Sequence, residues 1–208
     1  MKIITVSREF GSGGRELGKR LADLLGFDYY DKEIIAQIAK NKGLDENYVQ
    51  DALENHGWQN YQLTFRNTFV SLNTFKVTHT DLLIEQKEVI EQIAKLGRDC
   101  IIVGRNADVI LENYHPFNIF VCADMEAKIK RCINHAREGE DTSEKEMMKK
   151  IKRIDKNRAR TRELITDSPF GNSSGYSLTV NSTGWEIKKL AVALSNFIKE
   201  YYQNKENK

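Results

Sequence analysis

Residues 3–25 read IITVSREFGSGGRELGKRLADLL, a short apolar run followed by a glycine-containing turn and then by leucines at helical spacing. The run from Lys2 to Val6 predicts a buried strand, and the leucines predict a helix that ends at Gly26, where a left-handed cap is common. Those leucines are Leu17, Leu21, Leu24 and Leu25. Glycines at such a junction let several backbone N–H groups approach a phosphate, and the helix N-terminus adds its positive end. The stretch therefore predicts a phosphate-binding loop.

The rest of the chain alternates in the same way between apolar runs and amphipathic segments. Further strands are predicted at residues 27–30, 100–103, 118–122 and 177–181, and helices at 31–40, 44–55, 81–96, 124–137, 143–164 and 185–201. Asp31 is predicted to cap the second helix, and Ser143 with Glu146 to form a capping box. This alternation predicts a three-layer α/β fold in which a mainly parallel five-stranded sheet carries helices on both faces.

Length and composition limit the function classes. The 208 residues predict a single domain, and 32 basic against 30 acidic residues give no strong reason to expect nucleic-acid or membrane binding. No apolar span of about 20 residues occurs, so we expect a cytoplasmic protein. The three cysteines are expected to be reduced, buried thiols, and the four histidines show no metal-ligand spacing. Residues 56–80 are predicted to form a mobile or partly helical insert whose aromatics either pack together or stack on a base.

The turn differs from the usual phosphate-binding motif G-x-x-x-x-G-K-[ST] at its first glycine, its lysine and its hydroxyl residue. Gly14 stands where the lysine belongs, and Arg15 stands where Ser or Thr belongs. Arg15 is the nearest cation and can stand in for the lysine, although its planar head would approach phosphates differently. A magnesium ligand stays unassigned among Ser12, Glu16 and Asp31.

A second candidate site is Gly104-Arg105-Asn106, directly after the predicted strand at 100–103. The carboxyl ends of parallel strands face the ligand crevice, where an arginine can grip an acceptor phosphate. The alternative is that Arg105 caps a turn or pairs with Asp108 at the surface.

A third candidate is the segment 145–162, which has nine Lys or Arg in 18 residues. Its arginines Arg153, Arg158, Arg160 and Arg162 can act as a lid that neutralises a phosphoryl group in transfer. A solvated helix and an RNA-binding helix are the alternatives, but few aromatics interleave with the charges.

Together these stretches resemble the cytidylate kinase-like family of P-loop nucleoside monophosphate kinases. The resemblance is carried by residues 4–16 and 29–35, by Val103-Gly104-Arg105, by the arginine-rich segment and by residues 176–181. It implies a P-loop kinase fold that uses ATP and Mg2+. In cytidylate kinases the triplet is Gly-Arg-Asp, and the lid has an Arg, an Asp four residues on and an Arg three beyond. In this chain Asn106 stands in place of the acid of the triplet. The three lid positions fall on Arg153, Asn157 and Arg160.

The resemblance implies donor contacts from the loop and catalytic contacts from arginines. The donor residues are Arg8, Gly11, Ser12, Gly13, Gly14, Arg15 and Glu16, and the catalytic residues are Arg15, Arg105, Arg153, Arg158 and Arg160. The predicted kinase core comprises residues 1–30, 97–140 and 176–202, with an acceptor-binding insert at 31–96 and a lid at 141–175. The predicted activity is phosphoryl transfer from ATP to CMP, dCMP or a related small nucleotide-like acceptor. The alternative is a catalytically weakened nucleotide-binding regulatory protein, because the loop lysine is absent.

Overall fold

The computed structural model describes residues 1–54, 77–136 and 141–206. Five strands occur in these ranges, namely β1 (Ile3–Arg8), β2 (Asp28–Tyr30), β3 (Cys100–Val103), β4 (Phe117–Cys122) and β5 (Leu178–Asn181). All neighbouring pairs are parallel, and the strand order is β2-β3-β1-β4-β5. The predicted parallel sheet is therefore confirmed. Strand β1 continues to Arg8, beyond the predicted end at Val6, and this brings Arg8 to the carboxyl edge of the sheet.

The described residues also form eight α-helices. These are α1 (Gly14–Leu25), α2 (Lys32–Lys42), α3 (Glu46–Glu54), α4 (His79–Lys95), α5 (Ala107–Ile110), α6 (Met125–Asn134), α7 (Glu144–Glu163) and α8 (Ile187–Glu206), with short 3-10 turns at Glu112–Tyr114 and Ser173–Gly175. Most of the predicted insert at residues 56–80, including its aromatics, lies outside the described residues.

The core forms two layers on opposite faces of the sheet. Ile3 packs with Ile34 and Ile90 of α2 and α4, whereas Ile4 packs with Leu17 and Leu190 of α1 and α8. Successive residues of a strand point to opposite faces, so a central strand covered on both sides is buried along its length and is mostly apolar. All six residues of β1 are buried; Ile3, Ile4 and Val6 are apolar, and the polar Thr5, Ser7 and Arg8 follow towards the carboxyl end. The three-layer α/β fold is thus confirmed.

Three local predictions need correction. Helix α1 does end at Gly26 with φ of 71°, but Leu24 is 42% exposed and lies outside the core. Ser143 precedes α7 without a side-chain capping bond; its N–H donates to Asp141 at 2.8 Å, and Glu146 pairs with Lys149 at 2.6 Å. Asp31 precedes α2 but also makes no capping bond, because its carboxylate is paired with arginines.

All three cysteines are free thiols, but only Cys100 is buried, while Cys122 and Cys132 are partly exposed. Burial raises the pKa of Cys100 to about 11, so this thiol stays protonated at neutral pH. Across the described ranges, no helix combines the length and the apolar character that crossing a bilayer requires.

Candidate active site

The loop between β1 and α1 leads into a helix N-terminus without a side-chain cap. Gly11 and Gly13 have φ of 79° and 80°, and Gly13, the residue before α1, makes no capping bond. The hydrogen bonds of α1 begin with the Leu17 N–H, which donates to the Gly13 carbonyl at 2.9 Å. The N–H groups of the preceding helix residues have no intrahelical acceptor, and such groups favour an anion.

The loop is glycine-rich because neighbouring elements press against it. A Cβ on Gly11 would lie 2.9 Å from Cys132 Sγ of α6, and one on Gly13 would lie 2.7 Å from Ile187 Cδ1 of α8. Both distances are below those that Cβ atoms tolerate, and both glycines have left-handed φ. The loop therefore has a tightly packed outer wall.

The loop is also closed by hydrogen bonds, one from its own Ser12 and one from Ser182 after β5. The Ser12 hydroxyl donates to the Glu9 carbonyl at 2.9 Å, and the Ser182 hydroxyl donates to the Ser12 carbonyl at 2.6 Å. Lys128, which is 5% exposed, forms an ion pair with Glu9 at 3.0 Å. Sequence reasoning missed Lys128 because its position in an ordinary helix carries no local signal.

Asp31 lies beside this loop and bonds Arg15 through two contacts. Arg15 Nε lies 2.6 Å from Asp31 Oδ2, and the Arg15 guanidinium also donates to Oδ1 at 3.3 Å. The Arg8 guanidinium approaches the same carboxylate at 3.8 Å. Asp31 is 2% exposed, so both arginines share one buried anion.

A small cavity of about 60 Å3 opens at the carboxyl ends of β1 and β3. Three arginines from different elements line it: Arg8 at the end of β1, Arg105 after β3 and Arg158 in α7, together with Leu53 and Phe170. No carboxylate is among its described lining residues. Burial and then the charge of Arg158 lower the pKa of Arg8, Asp31 opposes the shift, and the resulting pKa is about 9. This concentration of positive charge favours an anionic ligand.

The segment after β3 holds Arg105 in an unusual backbone conformation. Gly104, Arg105 and Asn106 have φ of 74°, 59° and 53°, and a left-handed conformation typically costs a non-glycine residue about 1–2 kcal/mol. The Arg105 carbonyl accepts a hydrogen bond of 3.0 Å from the buried Gln86 side chain of α4. Strained backbone that neighbours hold in place is a feature of ligand sites.

Helix α7 is bonded directly to the loop. Asp155 accepts a hydrogen bond from the Phe10 N–H at 2.7 Å, and Arg158 donates to the Arg8 carbonyl at 2.9 Å. Burial raises the pKa of Asp155, and the Phe10 N–H opposes the shift. These contacts fix the inward face of α7 against the end of β1.

Two other predicted lid arginines lie on the opposite face of α7. Arg153 and Arg160 are exposed and line neither of the two cavities beside the loop, whereas Asp155 and Arg158 face it. Asp155 and Arg158 thus have the spacing of the lid motif's Asp and Arg, two positions before Asn157 and Arg160. Sequence alignment missed this register because the helix is rich in arginines.

A buried ion pair joins the same helix to the segment after β3. Arg162 Nη1 lies 2.6 Å from Asp108 Oδ2, and both side chains are 2% exposed. The Ser7 hydroxyl donates to the other Asp108 oxygen at 3.3 Å, and Arg162 donates to the Ser168 carbonyl at 2.8 Å. Asp108, the alternative partner that we considered for Arg105, therefore pairs with Arg162.

A larger cavity of about 820 Å3 lies on the other side of the loop. Gly11, Gly13, Arg15 and Glu16 line it together with Arg131 of α6. Arg131 donates to the carbonyls of Gly11 at 3.3 Å and Ser182 at 2.8 Å. Sequence reasoning missed Arg131, whose only signal is its place in the helix after β4.

These residues fit the phosphates of a nucleotide better than they fit a metal ion. The uncapped helix start and the tightly packed glycines can cradle phosphate oxygens. The magnesium candidates are engaged elsewhere, since Ser12 bonds Glu9, Asp31 bonds Arg15 and Glu16 pairs with Arg20 at 2.7 Å. Within the described parts of the chain, no cluster of three His, Cys, Asp or Glu side chains could hold a metal.

Comparisons with known proteins agree with this geometry. Residues 3–184 match the model of the Cytidylate kinase-like family. A search of curated proteins returns no match. A solved structure of an uncharacterized protein from Eubacterium ventriosum ATCC 27560 is 25% identical, with a TM-score of 0.69 over 96% of this chain and 99% of that one.

Two solved shikimate kinases show the same fold at low identity. The one from Bacteroides thetaiotaomicron is 12% identical, with a TM-score of 0.57 over 95% of this chain and 98% of that one. The one from Acinetobacter baumannii, in complex with shikimate, is 11% identical, with a TM-score of 0.54 over 97% and 94%. The structure therefore has the fold of P-loop kinases.

Proposed function

The chain belongs to the cytidylate kinase-like family, and we propose that it transfers the γ-phosphoryl group of ATP to CMP, dCMP or a related small nucleotide-like acceptor. The observation that carries the proposal is the convergence of Arg8, Arg105 and Arg158 on one cavity beside the glycine loop. Charge of one sign, supplied by three separate elements and facing a cavity, favours a ligand with a multiply charged anionic group.

In this proposal the two cavities take the two substrates. The larger one, lined by Gly11, Gly13 and Arg15, receives the donor, whose phosphates accept hydrogen bonds from the start of α1. The smaller one receives the phosphate of the acceptor against Arg105 and Arg158. The bound donor supplies the phosphoryl group, and the protein contributes positioning and positive charge. No general base is needed, because the attacking oxygen already belongs to a phosphate anion.

The test is to incubate the protein with ATP, magnesium chloride and a panel of nucleoside monophosphates and nucleosides, and to follow ADP. We expect turnover with a monophosphate and none with its nucleoside, because the arginine-lined cavity requires a charged group. ATP binding without turnover on any panel member would instead support the regulatory alternative. Turnover of a nucleoside but of no monophosphate would contradict the assignment of the smaller cavity.

Arg158 and Lys156 provide a matched pair of variants on one helix. Arg158 lines the cavity, whereas Lys156 is exposed. We expect Arg158→Ala to lower kcat/KM at least about 10-fold, the equivalent of one charged hydrogen bond, and Lys156→Ala to leave it within about twofold. Equal effects of the two substitutions would refute the role of Arg158, provided that both variants unfold at the wild-type temperature.

A further inference from the structure

The Arg8 side chain extends from Gly14 of the glycine loop to Gly104 in the segment after β3. A Cβ on Gly14 would lie 2.6 Å from the Arg8 Cβ and 3.2 Å from the Arg8 Cγ. At its other end, Arg8 Nη1 occupies the space that a Cβ on Gly104 would take. Both glycines thus leave space that Arg8 occupies, one beside its stem and one beside its head.

Position 14 is where the usual motif has its lysine, and the motif has a glycine where this chain has Arg8. A side chain at 14 and a side chain at 8 exclude one another here, because their Cβ atoms would be 2.6 Å apart. Without the Arg8 side chain, the nearest remaining atom to a Cβ at 14 is Val121 Cβ at 3.3 Å, which is tight but tolerable. The two departures from the motif are therefore one coupled change.

The Arg8 guanidinium is a buried cation with little countercharge. Its side chain is 10% exposed, and its ion pair in the described parts of the chain is with Asp31 at 3.8 Å. That carboxylate is also bonded twice by Arg15. Burying a cation costs free energy unless an anion compensates it, so the arrangement favours a further anion beside Arg8.

We propose that Arg8 performs the role of the missing loop lysine by binding the transferring phosphoryl group between the two cavities, and that Gly14 and Gly104 are glycines because Arg8 fills their side-chain space. Arg15, the cation nearest in sequence, is bonded to Asp31 and serves to hold that carboxylate. The inference rests on the proposed function for the identity of the anion, whereas the steric coupling of positions 8 and 14 stands without it.

The coupling is tested by restoring the usual motif. Arg8→Gly/Gly14→Lys removes the Cβ at position 8, whereas Arg8→Ala/Gly14→Lys keeps it 2.6 Å from the new Cβ and so differs in one carbon atom. We expect the Arg8→Gly double variant to unfold within a few degrees of wild type and to bind ATP more tightly than the Arg8→Gly single variant does. The Arg8→Ala double variant should unfold at a lower temperature. Equal unfolding temperatures and equal ATP affinities of the two double variants would overturn the coupling.

The role toward phosphate is tested by calorimetric binding of ATP and adenosine. Arg8→Gly should weaken ATP binding about 10- to 100-fold, as expected for a charged hydrogen bond, and should change adenosine binding less than about twofold, because adenosine carries no phosphate for Arg8 to bind. Arg98→Ala, which removes an exposed arginine paired with Asp28, is the control and should change neither affinity.

The outcomes separate this inference from the proposed function. If wild-type protein binds ATP and turns over a monophosphate but Arg8→Gly keeps wild-type ATP affinity, the role of Arg8 is wrong and the kinase stands. If wild-type protein does not bind ATP, both the kinase and the phosphate role of Arg8 are overturned. The Arg8→Gly single variant keeps Gly14. Its ATP affinity can therefore be compared with that of wild type even where the double variants fold poorly.

Discussion

Replacing Arg162 by methionine should destabilise the fold strongly, because it leaves a carboxylate buried without its cation. Asp108 and Arg162 are each 2% exposed at the side chain and 2.6 Å apart, and after the substitution Asp108 would keep the Ser7 hydroxyl at 3.3 Å, a neutral partner from the described residues, in place of the cation. Removing one partner of such a pair costs about 3–5 kcal/mol. The lost bond to the Ser168 carbonyl, at 2.8 Å in the wild type, adds about 1 kcal/mol.

For a domain of this size a total loss of about 4–6 kcal/mol corresponds to a decrease in melting temperature of roughly 8–24 °C. The assay is urea and thermal unfolding of wild type, Arg162→Met, Asp108→Asn and the double variant. The double variant removes both charges, so it should be more stable than Arg162→Met alone. A single variant within about 1 kcal/mol of wild type, or effects that add in the double variant, would refute the ion pair as the link between α7 and the segment after β3.

Two further predictions concern other elements. Lys42, followed by Asn41, lowers the pKa of Glu85, so this carboxylate contributes stability above its unfolded pKa that is lost as the pH falls through the lower folded value. Glu85→Gln should therefore be less stable than wild type at pH 7, and the difference in melting temperature should shrink at pH 3.5; a constant difference would contradict the linkage. Gly18→Ala should cost about 1–3 kcal/mol in urea unfolding, because its Cβ would lie 2.6 Å from Val103 Cγ2. A neutral result there would show that α1 can shift away from β3.

The sequence predicts most of the fold because its signals are local. The apolar run at 100–103 and the glycine turn each identify their own element, and the sheet was predicted correctly as parallel and five-stranded. The predicted Ser143 capping box is wrong because its groups have other partners: the Ser143 N–H donates to Asp141, and the Glu146 carboxylate pairs with Lys149. Local pattern states which bonds a residue can make, and the neighbours decide which one it does make.

The candidate site was predictable in its location and less so in its partners. Arg105 was found because it follows a strand end, and the structure brings it to the cavity with Arg8 and Arg158. Arg153 and Arg160 were chosen by alignment of a motif within an arginine-rich helix, where a shift of two residues leaves the composition almost unchanged. Helical geometry separates these choices, since residues two apart in α7 lie on different faces.

The missing lysine shows why a motif should be compared as a set of atoms in space. Aligned by position, the sequence lacks the motif's lysine at Gly14, and Arg15 is the nearest cation that could replace it. This alignment favours a catalytically weakened protein. In the structure, the stem of Arg8 contacts Gly14 and its head contacts Gly104. The charge of Arg8 therefore lies nearer the segment after β3 than its place in the sequence indicates. A cation carried by the rigid end of β1 also needs no movement of α1 to meet its ligand. Because the guanidinium can donate to two oxygens at once, we expect this arrangement to fix the orientation of the transferring group more strictly than a single ammonium does.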